Sequence, residues 1–533
     1  MLDADLNRVE LWLLGTAFLA ALATSRLRFR RRAWPAPRRP VLMVFLVALV
    51  GRATLLLLIP VPFPSVHDEF SYLLQADTFA SGRLSNPTHP LWHHFESVHI
   101  FHQPTYQSMY PPVQGLILAL GQVIGHPWIG VWLVGAAACA AICWMLLAWL
   151  PKNWAFWGGM LAVLRISLVS YWANSYWGGA HAALGGALVL GAMPRLLRRQ
   201  RALDSLMLGV GLAILANSRP YEGFLLALPV VARLLWKAPL RRLLPAAALL
   251  LIATGAMAGY FWRVTGDPLR MPYAVNRAAY GWPASLPWMT LEPRTYRHKA
   301  MQDYALWEQG LHQQYLSLTA FLSTLPIKAG TLWSFFLGPS VTLPLLLCGR
   351  RLWRSRRFRF LVLAGLGLLA GVLLSQVVTP HYLAPATSLI FALALQAIRH
   401  LWQGRLRLMA AAVPAIVLVV VGLRCAMTFG APLRVGDHPY SWCCVPPGNI
   451  SRAQILEHLS RQPGGQLVIV RYKPEHYLHA EWVYNEADID HAKVVWAHEM
   501  SAEENARLLD YFKDRRVLLL EASENPPRLT LYR

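Results

Sequence analysis

The chain alternates apolar runs with short arginine clusters from one end toward the other, and that alternation limits its fold more than any other feature. Most of the runs are roughly 16 to 23 residues long, close to the ~20 that a helix needs to cross hydrocarbon. With 56% hydrophobic and 14% charged residues among 533 and a mean hydropathy of +0.36, the chain carries more apolar surface than one soluble core buries. The net charge of +23 does not mark a nucleic-acid binder, because the arginines fall between apolar runs and not along one soluble face. The sequence therefore predicts a mainly α, polytopic helical membrane protein with a small α/β domain at its C-terminal end.

Basic clusters favour the cytoplasmic side of a membrane. They are Arg26 to Arg39, Lys152, Arg195 to Arg201, Lys237 to Arg242, Gly349 to Arg359 and Arg399 to Arg407. Keeping all of them on one side predicts about twelve crossings, near 9–25, 40–61, 128–150, 155–172, 180–195, 203–217, 221–237, 243–262, 329–349, 360–378, 383–398 and 409–429. The apolar run Val113 to Gly125 is then a re-entrant or interfacial helix. Leu11 to Ala23 follows an acidic start and lacks an A-x-A-like site, so it is expected to be an anchor and not a cleaved signal.

This threading makes residues 1–429 the transmembrane domain, with outward loops at 61–112 and 263–328, and residues 430–533 a non-cytoplasmic α/β domain. In that tail "AQILEHL" and "AEENARLLDYF" have helical spacing, and "QLVIV", "AKVVW" and "RVLLL" are short β-rich runs. The smaller outward loops are "NSYWGGAH", "NSRPYEG" and "TPHYLAP". Nucleotide chemistry loses ground, since no G-x-x-x-x-G-K-[ST] loop is present. The six cysteines are scattered and suggest no metal framework; adjacent Cys443 and Cys444 are open to either a vicinal disulfide or two thiols.

Two carboxylates, Asp68 and Glu69, stand just past the second crossing in "PVPFPSVHDEFSYLLQADTF". Carboxylates beside hydrocarbon face a cavity, a cation or a substrate more often than lipid. Asp68 can take the proton of an attacking hydroxyl, or the pair can hold a divalent cation, or Asp68 can N-cap the helix that follows. In "NSRPYEG", Arg219 sits at the mouth of a helix, where a guanidinium can bind a leaving phosphate and Glu222 can hold it in place. His381 and Tyr382 are rivals, as are Arg263, Arg270, Arg277, Arg294 and Lys299 of the large loop.

The first outward loop holds His67, His89, His93, His94, His99 and His102, with Glu96 among them. Zinc is conceivable there, but no H-E-x-x-H occurs, and packing or binding of substrate hydroxyls is the expectation; no metal ligand is assigned. In "SYWANSYWGGAH" the aromatic residues read as an interfacial belt, with Asn174 and His181 as lining residues. Asp488 and Asp490 of the tail read as turn material.

An outward D-E after the membrane helix, an aromatic-rich helix with a "SGRL" turn, and a "Y-P-P-x-x-x-x-L" segment together resemble the GT-C-fold membrane glycosyltransferases. Within them the chain is similar to the branch of bacterial lipid A aminoarabinose transferases and protein O-mannosyltransferases. The likeness covers chiefly residues 40 to about 240 and the overall topology. It implies transfer of a hexosyl or pentosyl unit, with inversion, from a polyprenyl-phosphate donor to a lipid, glycan or protein acceptor. It makes Asp68 the general base or acceptor-positioning carboxylate, with Glu69 supporting it.

Two features depart from the family. Tyr110 stands where members often carry Lys before Pro-Pro, and "NSYWGGAH" lacks a second acidic residue. The substrate-binding candidates are Arg219, Glu222, Tyr110, His181, Asn174, His381, Tyr382 and His102. No cofactor is assigned and a divalent cation is left open. Membrane lipids are expected partners and nucleic acid is not; the expected location is a bacterial inner membrane with the site facing the periplasm or exterior. A transporter or lipid flippase, or a catalytically inactive envelope assembly factor, are the alternatives.

Overall fold

The computed structural model describes residues 2–24, 35–199, 201–281, 286, 288–290, 294–314, 316–430, 440–445 and 447–532. Most of the first basic cluster and much of the expected boundary around 430–449 lie outside the described residues. Helices stand at the expected crossings. Among the described residues six of them are long and apolar enough to cross a membrane, seven if one bent pair counts as a single span, so the count of twelve is not reached there on length and apolarity.

Two expected crossings are broken, and each break has a local cause. The run over 329–349 forms Leu318–Phe336 and Gly338–Arg354, which meet at 98°. Gly338 at the corner has φ +63, a backbone region that a side chain resists. The break frees the Ser340 N–H, which donates to Glu10 Oε1 at 2.7 Å. Over 155–172 the helix Lys152–Ala162 passes into a π-turn, Val163–Leu168, and stops. Arg165 in that turn donates to the carbonyls of Ser334 and Phe335, at 3.1 and 2.6 Å, and lies over the Trp442 ring. A guanidinium inside an apolar run thus finds its acceptors where the neighbouring helix bends.

Burial separates central from peripheral helices. Ala180–Arg198, rich in Ala and Gly, is largely buried against Pro127–Trp149, since small residues let helix backbones approach closely. Leu244–Thr265 instead turns Leu251, Ile252 and Trp262 outward, as a lipid-facing helix does. Basic residues gather at helix C-terminal ends. Arg195 donates to the Trp144 carbonyl at 2.7 Å, Arg242 to that of Leu196 at 2.7 Å, and Arg357 to that of Ala148. Cations there meet unpaired carbonyls and the negative end of the helix dipole.

The first outward loop folds around His67–Ala80, a short hairpin of β1 (Ile100–Phe101) and β2 (Gln107–Ser108), and the apolar helix Pro112–Ile124. The tail is a four-stranded sheet of β3 (Gln466–Arg471), β4 (Val494–His498), β5 (Arg516–Glu521) and β6 (Arg528–Leu531), in the order β4-β3-β5-β6. The first three strands run parallel and β6 is antiparallel to β5. Successive residues of a strand face opposite sides. Val468, Val470, Trp496 and Leu520 form a core on one face with the Ile450–Ser460 helix. On the other face Leu467, Ile469, Val495 and Ala497 pack with Leu508 and Phe512, and with Leu74, Phe95, Ile100 and Tyr106 of the first outward loop.

The sheet is therefore pressed onto the segment that carries Asp68. Gly448 pins the junction: its φ is +89, and a Cβ there would lie 1.7 Å from the Phe63 carbonyl oxygen. Phe63 N in turn donates to Pro447 O at 2.8 Å.

Candidate active site

The helix His67–Ala80 begins after Val66, so Asp68 is not its cap. Glu69, in the third position, does the capping. Its Oε2 accepts from Ser65 N at 2.8 Å and Val66 N at 3.3 Å, and its Oε1 accepts from Tyr176 N at 3.0 Å. Burial pushes the Glu69 carboxyl upward against these N–H bonds. Both Glu69 oxygens thus accept backbone N–H groups, and its carboxylate fixes the first turn of the helix.

Asp68 points the other way. Tyr110 Oη donates to its Oδ1 at 2.5 Å, while Oδ2 is 3.7 Å from His99 Nδ1. The Asp68 side chain keeps 27% of its exposure, against 6% for His99. The Tyr110 hydrogen is committed to Asp68, so His99 Nδ1, at 3.0 Å from Tyr110 Oη, is the N–H donor of that pair. His99 Nε2 is then an acceptor for Tyr304 Oη at 3.3 Å. This neutral tautomer agrees with a His99 pKa held well below its usual range, by burial first and then by Arg277, His67 and His479. His99 adopts φ +67, an uncommon value for a non-glycine residue. Burial raises the Asp68 carboxyl pKa, opposed by the Tyr110 hydrogen bond and by the charges of His67 and Arg219.

Helical spacing builds one wall from Asp68, Tyr72 and Gln75. The Tyr72 ring stacks on Tyr110 with centroids 4.4 Å apart, and Gln75 Nε2 donates to the Tyr110 carbonyl at 2.9 Å and to Tyr260 Oη at 3.0 Å. Pro111 and Pro112 end the loop there, with Pro112 opening the next helix. Val113 N donates to Asn217 O at 3.2 Å, which brings "NSRPYEG" beside the Tyr110 segment.

Arg219 precedes the helix Pro220–Lys237 and lies over the Tyr382 ring at 4.7 Å. It is within electrostatic reach of Asp68, Tyr72, His181 and His381. Among the described residues no carboxylate lies within the ion-pair distance of its guanidinium. Glu222, expected to hold it, feels its charge but makes no ion pair with it. His381 is fixed by Tyr171 Oη at 3.0 Å and Thr379 Oγ1 at 2.8 Å, and burial, then Arg219 and His181, hold its pKa well below normal.

Other expected residues are occupied elsewhere. Asn174 Oδ1 accepts from buried Arg52 at 2.8 Å, and its amide donates to Ser170 O. His102 bonds the Phe95 carbonyl at 3.0 Å and stacks on Tyr106; burial pushes its pKa down to about 4. Of the large-loop cations, Arg277 pairs with Glu308 through two bonds of 3.3 and 3.4 Å. Tyr72, Gln75, His99 and Tyr304 were not singled out in the sequence as site residues. The first two were findable, four and seven positions beyond Asp68 on one helical face; His99 and Tyr304 meet it only through tertiary folding.

Cys443 and Cys444 form a disulfide, and the Cys425 sulfur lies 3.8 and 3.7 Å from theirs. Their spacing along the chain carries no sign that the three meet. Among the described residues this is the one group of three side chains spaced for a metal ion. Two of its sulfurs are bonded to each other and are not available as thiolate ligands.

No protein-family model matches the chain, and no curated protein matches it. Solved structures do. The oligosaccharyltransferase of Archaeoglobus fulgidus, in a complex with Zn and sulfate, superposes with a TM-score of 0.51 at 11% identity, over 90% of this chain and 68% of that one. The same archaeal enzyme, AglB, with an inhibitory peptide and a dolichol-phosphate gives 0.41 at 11%, over 79% of this chain and 58% of that one. ArnT from Cupriavidus metallidurans in the apo state gives 0.48 at 15%, over 90% and 88%. The likeness to the first establishes a GT-C fold for this chain, as its sequence motifs implied.

Proposed function

We propose that the chain is a membrane glycosyltransferase that moves a sugar from a polyprenyl-phosphate donor to a hydroxyl-bearing lipid, glycan or protein acceptor on the non-cytoplasmic side. One observation carries this reading. A carboxylate with an oxygen that Tyr110 leaves open, Asp68, and a guanidinium with no acidic partner among the described residues, Arg219, converge on a wall of tyrosines in a chain of GT-C fold.

The acceptor hydroxyl oxygen bonds to the anomeric carbon as the carbon–oxygen bond to the lipid phosphate breaks. Its proton passes to Asp68 Oδ2, the oxygen that Tyr110 leaves open. The negative charge gathering on the departing phosphate is met by Arg219, which has five N–H donors to offer. Tyr110 and Glu69 hold the base in place, and Tyr72 and Tyr382 offer ring faces for a sugar or for the guanidinium. Attack from the side opposite the phosphate inverts the anomeric centre. The exergonic release of the lipid phosphate removes any need for a nucleotide at the site, and none of the steps requires a metal.

The test is transfer by the purified protein in lipid nanodiscs, from polyprenyl-phosphate-linked hexoses and pentoses to candidate acceptors, beside the Asp68→Asn variant. Transfer by the wild type and its loss in a folded variant supports the reading. Equal transfer by both removes Asp68 as the base. Movement of labelled lipid across the bilayer with no new glycosidic bond would establish a flippase instead.

A further inference from the structure

The tail domain reaches the candidate site through one buried pair. His67, the residue before Asp68, is 7% exposed and both of its ring nitrogens face acceptors. Nδ1 lies 3.1 Å from Glu481 Oε2 and Nε2 lies 2.9 Å from the Leu478 carbonyl oxygen. A carbonyl cannot donate, so Nε2 carries a hydrogen. The other Glu481 oxygen accepts from Val483 N at 2.7 Å and Tyr472 Oη at 3.2 Å, the bonding of an ionised carboxylate. The Glu481 pKa lies below its usual value and that of His67 above it despite burial, so the hydrogen between Nδ1 and Glu481 Oε2 sits on the ring, which is an imidazolium.

The connection does not rest on these side chains alone. Glu481 N donates to Ser65 O at 3.4 Å, and Ser65 N and Oγ both donate to Glu69. Farther along the same helix, Asp77 Oδ2 accepts from Ala487 N at 2.7 Å. The His67 ring also meets Tyr304 edge-on at 5.4 Å and His99 at 6.3 Å, the two residues that lead to Tyr110 and Asp68.

We infer that the C-terminal domain is a working part of the site, in which Glu481 is a positioning residue that keeps His67 cationic and fixes the first turn of the helix bearing Asp68. The inference rests on the reading of Asp68 as the base. Ion-pairing to Glu481 holds positive charge one residue from Asp68, and that charge favours the carboxylate over the acid. The titratable groups facing His67 are Glu481, His476 and His479 from the tail, Asp68 on its own helix, His99 from the first outward loop, and Tyr304 from the helix Lys299–Gln313. Of these, Glu481 is in direct contact and negative, and the His67 pKa lies above its usual value despite burial.

Full-length protein in nanodiscs is assayed across pH as wild type, Glu481→Gln, Glu481→Asp and Asp68→Asn, with thermal unfolding recorded for each. Glu481→Gln keeps the shape and replaces the ion pair by a neutral hydrogen bond. It is expected to lower kcat about tenfold, leave the donor KM unchanged and move the acid limb of the rate profile to higher pH, with partial recovery in Glu481→Asp. Wild-type rate and profile in Glu481→Gln, with Asp68→Asn inactive, overturns the inference and leaves the proposed function standing. Full activity in Asp68→Asn overturns both. As a measurement that needs no stable Glu481 variant, the 15N signals of His67, assigned by their loss in His67→Gln, are expected to show two N–H groups at neutral pH; a single N–H overturns the inference.

Discussion

Two carboxylates of the first outward loop, Glu96 and Asp68, each sit among histidine and tyrosine with an arginine in reach, and they do opposite things with similar parts. Glu96 is saturated. Tyr280 Oη donates to one oxygen at 3.0 Å, and Arg297 Nη1 to the other at 2.6 Å with His298 Nε2 at 3.5 Å. Burial works against its charge, but the bonds and charges of His298 and Arg297 outweigh it and bring its pKa down to about 2. Asp68 takes its side-chain hydrogen bond from Tyr110; the nearest imidazole is neutral, and no guanidinium among the described residues comes within ion-pair distance of it. Its pKa is raised. A carboxylate tied at one oxygen by a tyrosine and at the other by an arginine is a structural anchor, whereas one with an open oxygen and a raised pKa can take a proton.

Breaking each cluster tests that contrast. The largest effect is expected from Asp68→Asn, with transfer falling roughly 10³-fold at unchanged Tm; a rate near wild type would erase the distinction. Next is Glu96→Gln, which leaves Arg297 and His298 facing a neutral amide and is expected to cost about 3 kcal/mol of stability, read from denaturant or thermal unfolding. The sign follows from its pKa. Because the folded value of about 2 lies below the ordinary 4.5, the stabilisation is full above pH 4.5 and is lost as pH falls toward 2, so wild type and variant converge there.

Arg219→Ala is expected to slow transfer about 10²-fold, with Arg219→Lys restoring part because one charge remains but the paired geometry does not. An unaffected rate would move phosphate binding to another cation. Tyr110→Phe is expected to have the smallest effect, about tenfold. Losing the hydrogen bond raises the Asp68 pKa further, so the acid limb of the rate profile moves to higher pH, whereas an unmoved limb would show that Tyr110 does not tune the base.

Much of the fold was legible in the chain. Apolar run length located the helices at the expected crossings, and short β-rich runs located β3, β4 and β5. The last strand, "RLTL" at Arg528–Leu531, is mostly exposed at the sheet edge and carried too weak a pattern to be read. The broken crossings escaped because an averaged apolar run conceals one arginine or one glycine that redirects the backbone. In the site, the D-E doublet and "NSRPYEG" were visible as motifs, yet the two carboxylates looked alike. Their roles separated only when the helix started two residues earlier than a cap at Asp68 would place it and sent Glu69 to the backbone.

The sequence by itself determined that this chain enters a membrane, where its helices lie and which polar doublet stands at their edge, because these follow from local hydrophobicity and spacing. Tertiary structure decided which carboxylate stays open, that no acid among the described residues pairs with Arg219, and that the tail seats itself on the first outward loop. Those outcomes depend on contacts between residues as much as 414 positions apart, His67 and Glu481 among them, and the burial and pairing that set a side chain's charge arise only when distant segments meet.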